Sequence, residues 1–160
     1  MILCFLLADC RKVNYSFSGI NIGDAKTIYI ANVYNNVGGG PSNLSQIFTE
    51  NLKDYYQKNT PLKIVNGEAD LLLEATITGY TFLPTATGVE QAQQNRLSIN
   101  VQVSFTNTLD EEQNIKNQSF SFFRDFPAAQ SLSQVESGGG LTPVIDQIVF
   151  DIFNKSVANW

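Results

Sequence analysis

The sequence predicts an α+β fold, a two-layer sandwich in which a four-stranded, mixed and mostly antiparallel sheet carries two helices on one face. Two observations predict it. Several segments alternate apolar and polar residues with a period of two, as strands with one buried face do, and two others repeat apolar residues every three or four positions, as amphipathic helices do. Their order is strand, helix, three strands, helix, and packing both helices on one side of the sheet buries every apolar face. The chain has 160 residues, which suits one domain.

Four segments are predicted as strands: 26–34, 69–82, 96–107 and 115–126. Segment 96–107 gives the clearest pattern, because apolar and neutral polar residues alternate along its whole length. The apolar set is Leu97, Ile99, Val101, Val103 and Phe105, and the polar set is Ser98, Asn100, Gln102, Ser104 and Thr106. Asn66-Gly67 marks a turn, Lys63 to Val65 a short extended segment, and 83–95 a long hairpin tip without periodicity.

The two helices are predicted at 41–57 and 143–158, each with a proline in its first turn. In the first, Asn43 and Gln46 have the spacing of a capping box. Its apolar stripe is Leu44, Ile47, Phe48, Leu52, Tyr55 and Tyr56. In the last helix the stripe is broad enough to lie on a sheet. A glycine run, 138–140, separates it from a short apolar-polar stretch around 132–136.

Composition excludes several functional classes. The formal net charge is −5, which argues against nonspecific binding to nucleic acid. The chain has no histidine, so serine-histidine dyads and histidine-ligated metal sites are absent. Its two cysteines, Cys4 and Cys10, both precede the predicted domain. We therefore expect neither an enzyme nor a bound cofactor or metal, and no catalytic residue is assigned.

The N-terminus resembles the end of a lipoprotein signal. Met1 to Ala8 is an apolar run too short to span a bilayer, and Leu7-Ala8-Asp9-Cys10 is similar to a lipobox, in which the cysteine becomes acylated. Asp9 departs from the usual Gly, Ala or Ser. The predicted lipidation site is Cys10, which would anchor the chain to a membrane. The alternative is a short buried N-terminal strand with an incidental cysteine.

The sequence also resembles the LptE family of lipopolysaccharide-assembly lipoproteins, in its Bacteroidetes-type form. The similarity lies in YSFSG, LSQIFTENLKDYYQ, ITGY, QNRLSINVQVSFTN, QSFSFFRDF and DIFNKSVANW, which follow in matching order. The resemblance implies three regions: a signal remnant at 1–9, a lipidated tether at 10–25 and a single domain at 26–160.

The resemblance further implies a function and a partner. The family's small lipoprotein plugs the outer-membrane β-barrel that delivers lipopolysaccharide to the outer leaflet, and it helps that LptD-like barrel to assemble. We therefore expect a lipid-anchored protein on the periplasmic side of the outer membrane. Some members also bind lipopolysaccharide, but no residue of this chain aligns securely with theirs.

The polar face of segment 96–107 is physically consistent with such a plug. Exposed strands usually carry Lys and Glu, whereas this face carries hydroxyls and amides. Neutral groups cost less to desolvate than charges when another polar wall covers them, and the lumen of a large outer-membrane barrel is polar. The alternative is an uncharged face that stays in water.

Other residues have two interpretations each. Arg96 and Arg124 suit phosphate contacts or ordinary ion pairs, and Lys53, Lys58 and Lys63 suit a basic cluster or a solvated helix end. Trp160 and Phe153 suit a membrane interface or the core. Asp110, Glu111 and Glu112 lack the ligand spacing of a calcium loop and predict a solvated turn. The glycines at 38–40 lack the Lys-Ser/Thr of a phosphate loop.

An alternative function is a stand-alone periplasmic module that binds a lipid or a glycan. It predicts a sizeable apolar pocket between the sheet and the helices.

Overall fold

A computed structural model describes residues 19–85 and 94–158. Its strands are β1 (Thr27–Ile30), β2 (Tyr34–Asn35), β3 (Lys63–Ile64), β4 (Leu71–Thr85), β5 (Gln94–Asn107) and β6 (Ile115–Pro127). Its α-helices are α1 (Leu44–Asn59), α2 (Leu132–Ser137) and α3 (Thr142–Ser156), and a 3₁₀ turn covers Glu111–Gln113. The predicted two-layer mixed fold is confirmed.

The sheet has six strands rather than the four predicted. Its order is β3-β1-β4-β5-β6, and β2 also pairs with β4. Pairs involving β1, β2 and β3 are parallel, whereas β4, β5 and β6 form an antiparallel meander. The additional strands are only two residues long, and so short a stretch carries no periodic signal that sequence reasoning can use.

The predicted first strand, 26–34, is interrupted at residues 31–33. β1 and β2 lie one after the other along β4, opposite Leu71–Leu73 and Thr76–Ile77 respectively. At the interruption the Val33 N–H donates to Thr49 Oγ1 on α1 at 2.9 Å. This bond satisfies a buried donor that the sheet leaves unpaired, which explains why Thr49 is buried in a helix otherwise facing the core with apolar residues.

Asp70 joins the start of β4 to the start of β1. Its Oδ2 atom accepts hydrogen bonds from the N–H groups of Lys26 and Thr27, at 2.8 and 3.0 Å, and from Thr27 Oγ1 at 2.8 Å. The Asp70 N–H in turn donates to Thr27 Oγ1. These bonds favour the ionised carboxylate and so lower the pKa of Asp70, the Lys26 N–H having the largest effect.

The core lies between the sheet and the helices. Leu71, Leu73, Ala75 and Ile77 of β4 face it, together with the predicted apolar set of β5. From α1 the buried side chains are Leu44, Phe48, Thr49, Leu52 and Tyr56, whereas Ile47 and Tyr55 of the predicted stripe are half-buried. From α3 the core takes Val144, Ile145, Ile148, Val149, Ile152, Phe153 and Ser156. Phe153 is therefore a core residue and not a membrane anchor.

A β-bulge in β4 changes which face its residues occupy. Ile77 lies opposite Val101 and Gly79 lies opposite Asn100, so Thr78 is an extra residue in the ladder. After the bulge Tyr80 lies opposite Ile99 and therefore points toward the helices. The bulge therefore places Tyr80 on the same face as Ile77, which a strict period of two would not do.

Capping of the helices differs from the prediction. Asn43 occupies the N-cap position of α1, but its side chain accepts no capping hydrogen bond, and its ψ of 11° departs from the extended backbone that capping needs. Gln46 instead donates to Glu50. The capping box lies at α2, where Ser131 and Gln134 bond reciprocally.

The remaining boundaries shift by a few residues. α1 and α3 each begin and end within three residues of the predicted positions. The predicted tip at 83–95 is shorter, because β4 continues to Thr85 and β5 begins at Gln94. The glycine run lies between α2 and α3, where Gly139 has a φ of 78°.

Candidate functional site

The candidate site is the sheet face directed away from the helices, which we call the open face. Along β5 it presents the predicted polar set, of which Asn100 and Gln102 are exposed and Ser98, Ser104 and Thr106 half-buried. Register places Thr76 of β4 and Ser119 of β6 on either side of Gln102. Thr81 and Ser121 extend the same face, so neutral hydroxyls and amides cover three adjacent strands.

On this face, the absence of a Cβ atom at Gly79 leaves room for the side-chain amide of Asn100. A Cβ atom added to Gly79 would come within 2.5 Å of Asn100 Nδ2 and 3.1 Å of Asn100 Cβ. Only glycine leaves room there for the Asn100 side chain, which crosses the β4 backbone beside the bulge. An isolated glycine within a strand pattern signals such a close approach, and it was the one cue in the sequence to this feature.

Charges lie only toward the ends of the open face. Glu74 of β4 is exposed near one end. Near the other, Arg96 binds Asp125 through two hydrogen bonds, Nε to Oδ1 at 2.7 Å and a terminal guanidinium nitrogen to Oδ2 at 2.8 Å. The Arg96 guanidinium carbon also lies 3.8 Å from the centre of the Phe123 ring. The Arg96 bond lowers the pKa of Asp125, and the same bond raises the pKa of Arg96.

Arg96 is therefore an ion-pair residue, and its guanidinium is already used by a carboxylate and a ring. Arg124 belongs to the helix side of the sheet, where its guanidinium carbon lies 5.7 Å from the Phe126 ring. Phe123 and Leu83 remain 49% and 61% exposed, so the Arg96 end of the open face is also its apolar end. Alternation along 115–126 places Phe123 on the face of Ser119 and Ser121, but the bulge in β4 reverses the face on which Leu83 lies, so alternation alone does not place Leu83 beside it.

The three lysines do not share one contact network. Lys58 pairs with Asp54 one helical turn away at 3.5 Å, with both side chains largely exposed. Lys63 is exposed on β3. Lys53 lines a groove of about 810 Å³ at the β1 edge, together with Tyr29, Leu72, Glu74 and the 66–69 loop.

That groove differs from the pocket expected of a lipid-binding module. Its lining comes from the sheet edge, a loop and the open face, and it mixes carboxylates and amides with apolar side chains. The space between the layers is filled instead: Phe48, Leu52, Tyr56 and Phe105 are each at most 1% exposed. The described residues thus give the lipid-module alternative no interlayer pocket.

Two tyrosine hydroxyls are bonded on the helix side. Tyr56 bonds Ser156 inside the core, and Tyr80 donates to Glu136 Oε1 of α2 at 2.6 Å. Burial raises the pKa of both tyrosines, and the Glu136 carboxylate raises that of Tyr80 further. The Tyr56 bond joins α1 to α3, and the Tyr80 bond joins β4 to α2. Both hydroxyls are neutral at physiological pH.

The acidic turn is structural. Asp110 caps the 3₁₀ turn by accepting the Glu112 N–H, and Glu111 and Glu112 are exposed. Within residues 19–85 and 94–158, no group of three metal-binding side chains comes together. In the same ranges, no helix has the length and apolar character needed to cross a bilayer. Cys4, Cys10 and Trp160 lie outside the described residues.

Comparison with a family model identifies the chain. The model for LptE, lipopolysaccharide-assembly, matches residues 25–156, which is most of the sequence. The chain belongs to the LptE family. The LptE family is a lipopolysaccharide-assembly family and is not known as an enzyme family. No curated protein matches the sequence significantly.

Solved structures share the fold at low identity. Hypothetical protein CT253 from Chlamydia trachomatis is 11% identical with a TM-score of 0.55, covering 84% of this chain and 99% of that one. An uncharacterised lipoprotein B from Nitrosomonas europaea is 12% identical with a TM-score of 0.52, covering 81% and 80%. Protein XCC0632 from Xanthomonas campestris is 9% identical with a TM-score of 0.51, covering 81% and 82%. At these identities the likenesses show a shared fold.

Proposed function

We propose that this LptE-family chain is an outer-membrane lipoprotein that occupies the lumen of an LptD-like β-barrel and helps that barrel assemble, so that lipopolysaccharide reaches the outer leaflet. The observation that carries the proposal is the open face. It spans three long strands, and its centre carries hydroxyls and amides without a charge.

The energetic argument rests on desolvation. An enclosing wall strips water from the face it covers, and a buried unpaired charge costs far more than a neutral group that finds a new hydrogen bond. Because a wide barrel has a polar lumen, its wall supplies such partners. A face that stayed in water would gain nothing from lacking Lys and Glu, which normally keep a surface soluble.

The start of the folded domain supports a lipid anchor at Cys10. The Asn21 N–H donates to the Val157 carbonyl at 2.6 Å, and Ile20 and Ile22 pack against the core. If Cys10 is acylated, the eleven residue-to-residue steps from Cys10 to Asn21 span at most roughly 40 Å at full extension. The C-terminal end of α3 would then lie within that distance of the inner leaflet of the outer membrane.

A tagged purification tests the partner. The chain, extracted from membranes in detergent, should bring with it one large β-barrel protein, and depletion of the chain should block lipopolysaccharide export. A chain that purifies alone from the envelope would contradict the proposal.

Fatty-acid labelling tests the anchor. The unaltered chain should incorporate the label, and a Cys10→Ala variant should not. Because Cys10→Ala leaves the described domain untouched, it should still bind the barrel, more weakly for want of a shared membrane. Equal labelling of both chains would overturn the assignment of Cys10.

A further inference from the structure

The two edges of the sheet are protected very differently. One edge is β3, which is two residues long. The other is β6, which is 13 residues long and has β5 as its only neighbour among the described strands. Natural sheets keep exposed edges short or guard them, since a bare edge is a template for another strand.

The protective devices of β6 lie only at its ends. Near its start the register with β5 shifts between Val103 and Phe105, and Asn117 there has a φ of 51°. Lys116 precedes this irregularity, and Pro127 ends the strand. Between them the stretch Gln118–Phe123 pairs regularly with β5 and contains no charge, proline or bulge. The central part of the edge is thus open to pairing.

The free backbone groups of this stretch determine what kind of molecule can bind to it. A strand edge offers N–H and C=O groups at the spacing of an extended backbone, so another extended polypeptide satisfies them. Ser119 and Ser121 are exposed on the open face, whereas Phe120 is buried and Phe122 half-buried on the helix side. An added strand would match both faces if it alternated small polar and apolar residues.

We propose that the Gln118–Phe123 edge of β6 binds an extended segment of the enclosing partner, which adds a seventh strand to the sheet. This inference rests on the proposed function. Ser119 and Ser121 belong to the open face and to the edge strand alike, so a wall covering that face reaches the edge. Strands within a closed barrel are already paired on both sides. The added strand therefore comes from a part of the partner outside its wall.

Residue-resolved amide hydrogen exchange separates backbone pairing from mere enclosure. In the free chain, prepared as the unanchored Cys10→Ala variant, about every second amide of Gln118–Phe123 points away from β5 and exchanges fast. In the co-purified complex the same amides should slow by roughly 100-fold or more. The amides of Lys63 and Ile64, at the opposite edge, should not change, and those facing β5 should be slow in both samples.

Each result decides between the two proposals. If the barrel co-purifies but the edge amides stay fast, the strand-addition proposal is wrong and the proposed function stands. If the slowed amides accompany a second copy of this chain instead, the assignment of the occupant is wrong. If no barrel co-purifies, both proposals fail. Chemical cross-linking of the complex should join Lys116 to a partner segment that lies outside the barrel strands, and a link only to wall strands would count against the proposal.

Discussion

The two faces of the sheet use the same strands for opposite purposes. On the helix side, Phe105 and its neighbours are buried among large apolar side chains, and the few polar groups there are individually bonded. At the centre of the open face, side chains from those strands are neutral hydroxyls and amides. Because successive residues of a strand point to opposite faces, stability depends on one set of side chains and recognition on the other. A substitution can therefore affect one without the other.

The largest expected effect is on unfolding free energy, and it should differ between two phenylalanines on opposite faces of the sheet. Phe105→Ala should cost about 3–5 kcal/mol of unfolding free energy, because it empties a fully buried site. Phe123→Ala should cost less than about 1 kcal/mol, since that ring is half exposed and loses mainly its contact with Arg96. Chemical denaturation of both purified variants measures the difference. Equal losses would mean that the open face is part of the core.

A smaller effect is expected where the open face is tightly packed. Gly79→Ala should cost about 1–3 kcal/mol, because the new methyl group meets the Asn100 side chain. Adding Asn100→Ala should restore part of the loss, and Ser98→Ala alone should change little. A double variant as unstable as the single one would show that backbone strain, and not Asn100, is responsible.

Alkaline pH should lower the unfolding free energy of the domain through the buried tyrosines on the helix side. A tyrosine whose pKa is raised by burial stays protonated in the folded chain while the unfolded chain ionises near pH 10. Stability is therefore complete below that pH and falls as pH rises above it. For Tyr56 the loss by pH 11 should be on the order of 1 kcal/mol. Denaturation from pH 8 to 11 should show a smaller decline for Tyr56→Phe, and an unchanged slope would contradict the assignment.

The smallest stability effect should accompany a clear loss of binding. Gln102→Glu keeps the shape of the side chain but puts a charge at the centre of the open face. It should change unfolding free energy by less than about 0.5 kcal/mol, yet lower recovery of the barrel by about tenfold or more, because the enclosed charge must be desolvated. Gln57→Glu, exposed on α1, is the matched control. Equal recovery of all three chains would argue that the open face is not enclosed.

Sequence reasoning succeeded where a pattern was long. Segment 96–107 carries five apolar residues in strict alternation, and its face, extent and open polar side were all predicted. It failed at local irregularities. The two-residue strands, the Thr78 bulge and the break at 31–33 depend on contacts between distant segments, such as Val33 with Thr49. Residues just beyond the bulge were therefore assigned to no face, and those from Leu83 onward were placed in a loop.

The candidate site was predicted only in part, because it too depends on contacts between distant segments. Its centre on β5 followed from alternation alone, whereas its extension over β4 and β6 required the register between strands. The pairing of Arg96 with Asp125 joins residues 29 positions apart, and the sequence leaves either an ion pair or a phosphate contact open. The family resemblance supplied the proposed partner, which no pattern of residues contains.

The bonds of Asp70 have a consequence for the order of folding. β4, β5 and β6 follow one another along the chain and join by connections between sequence neighbours, so their loop-closure entropy is small. β1 reaches its place only when Lys26 and Thr27 meet a carboxylate more than 40 positions later. We therefore expect the meander to assemble first and β1 to join afterwards in the slower, nonlocal step.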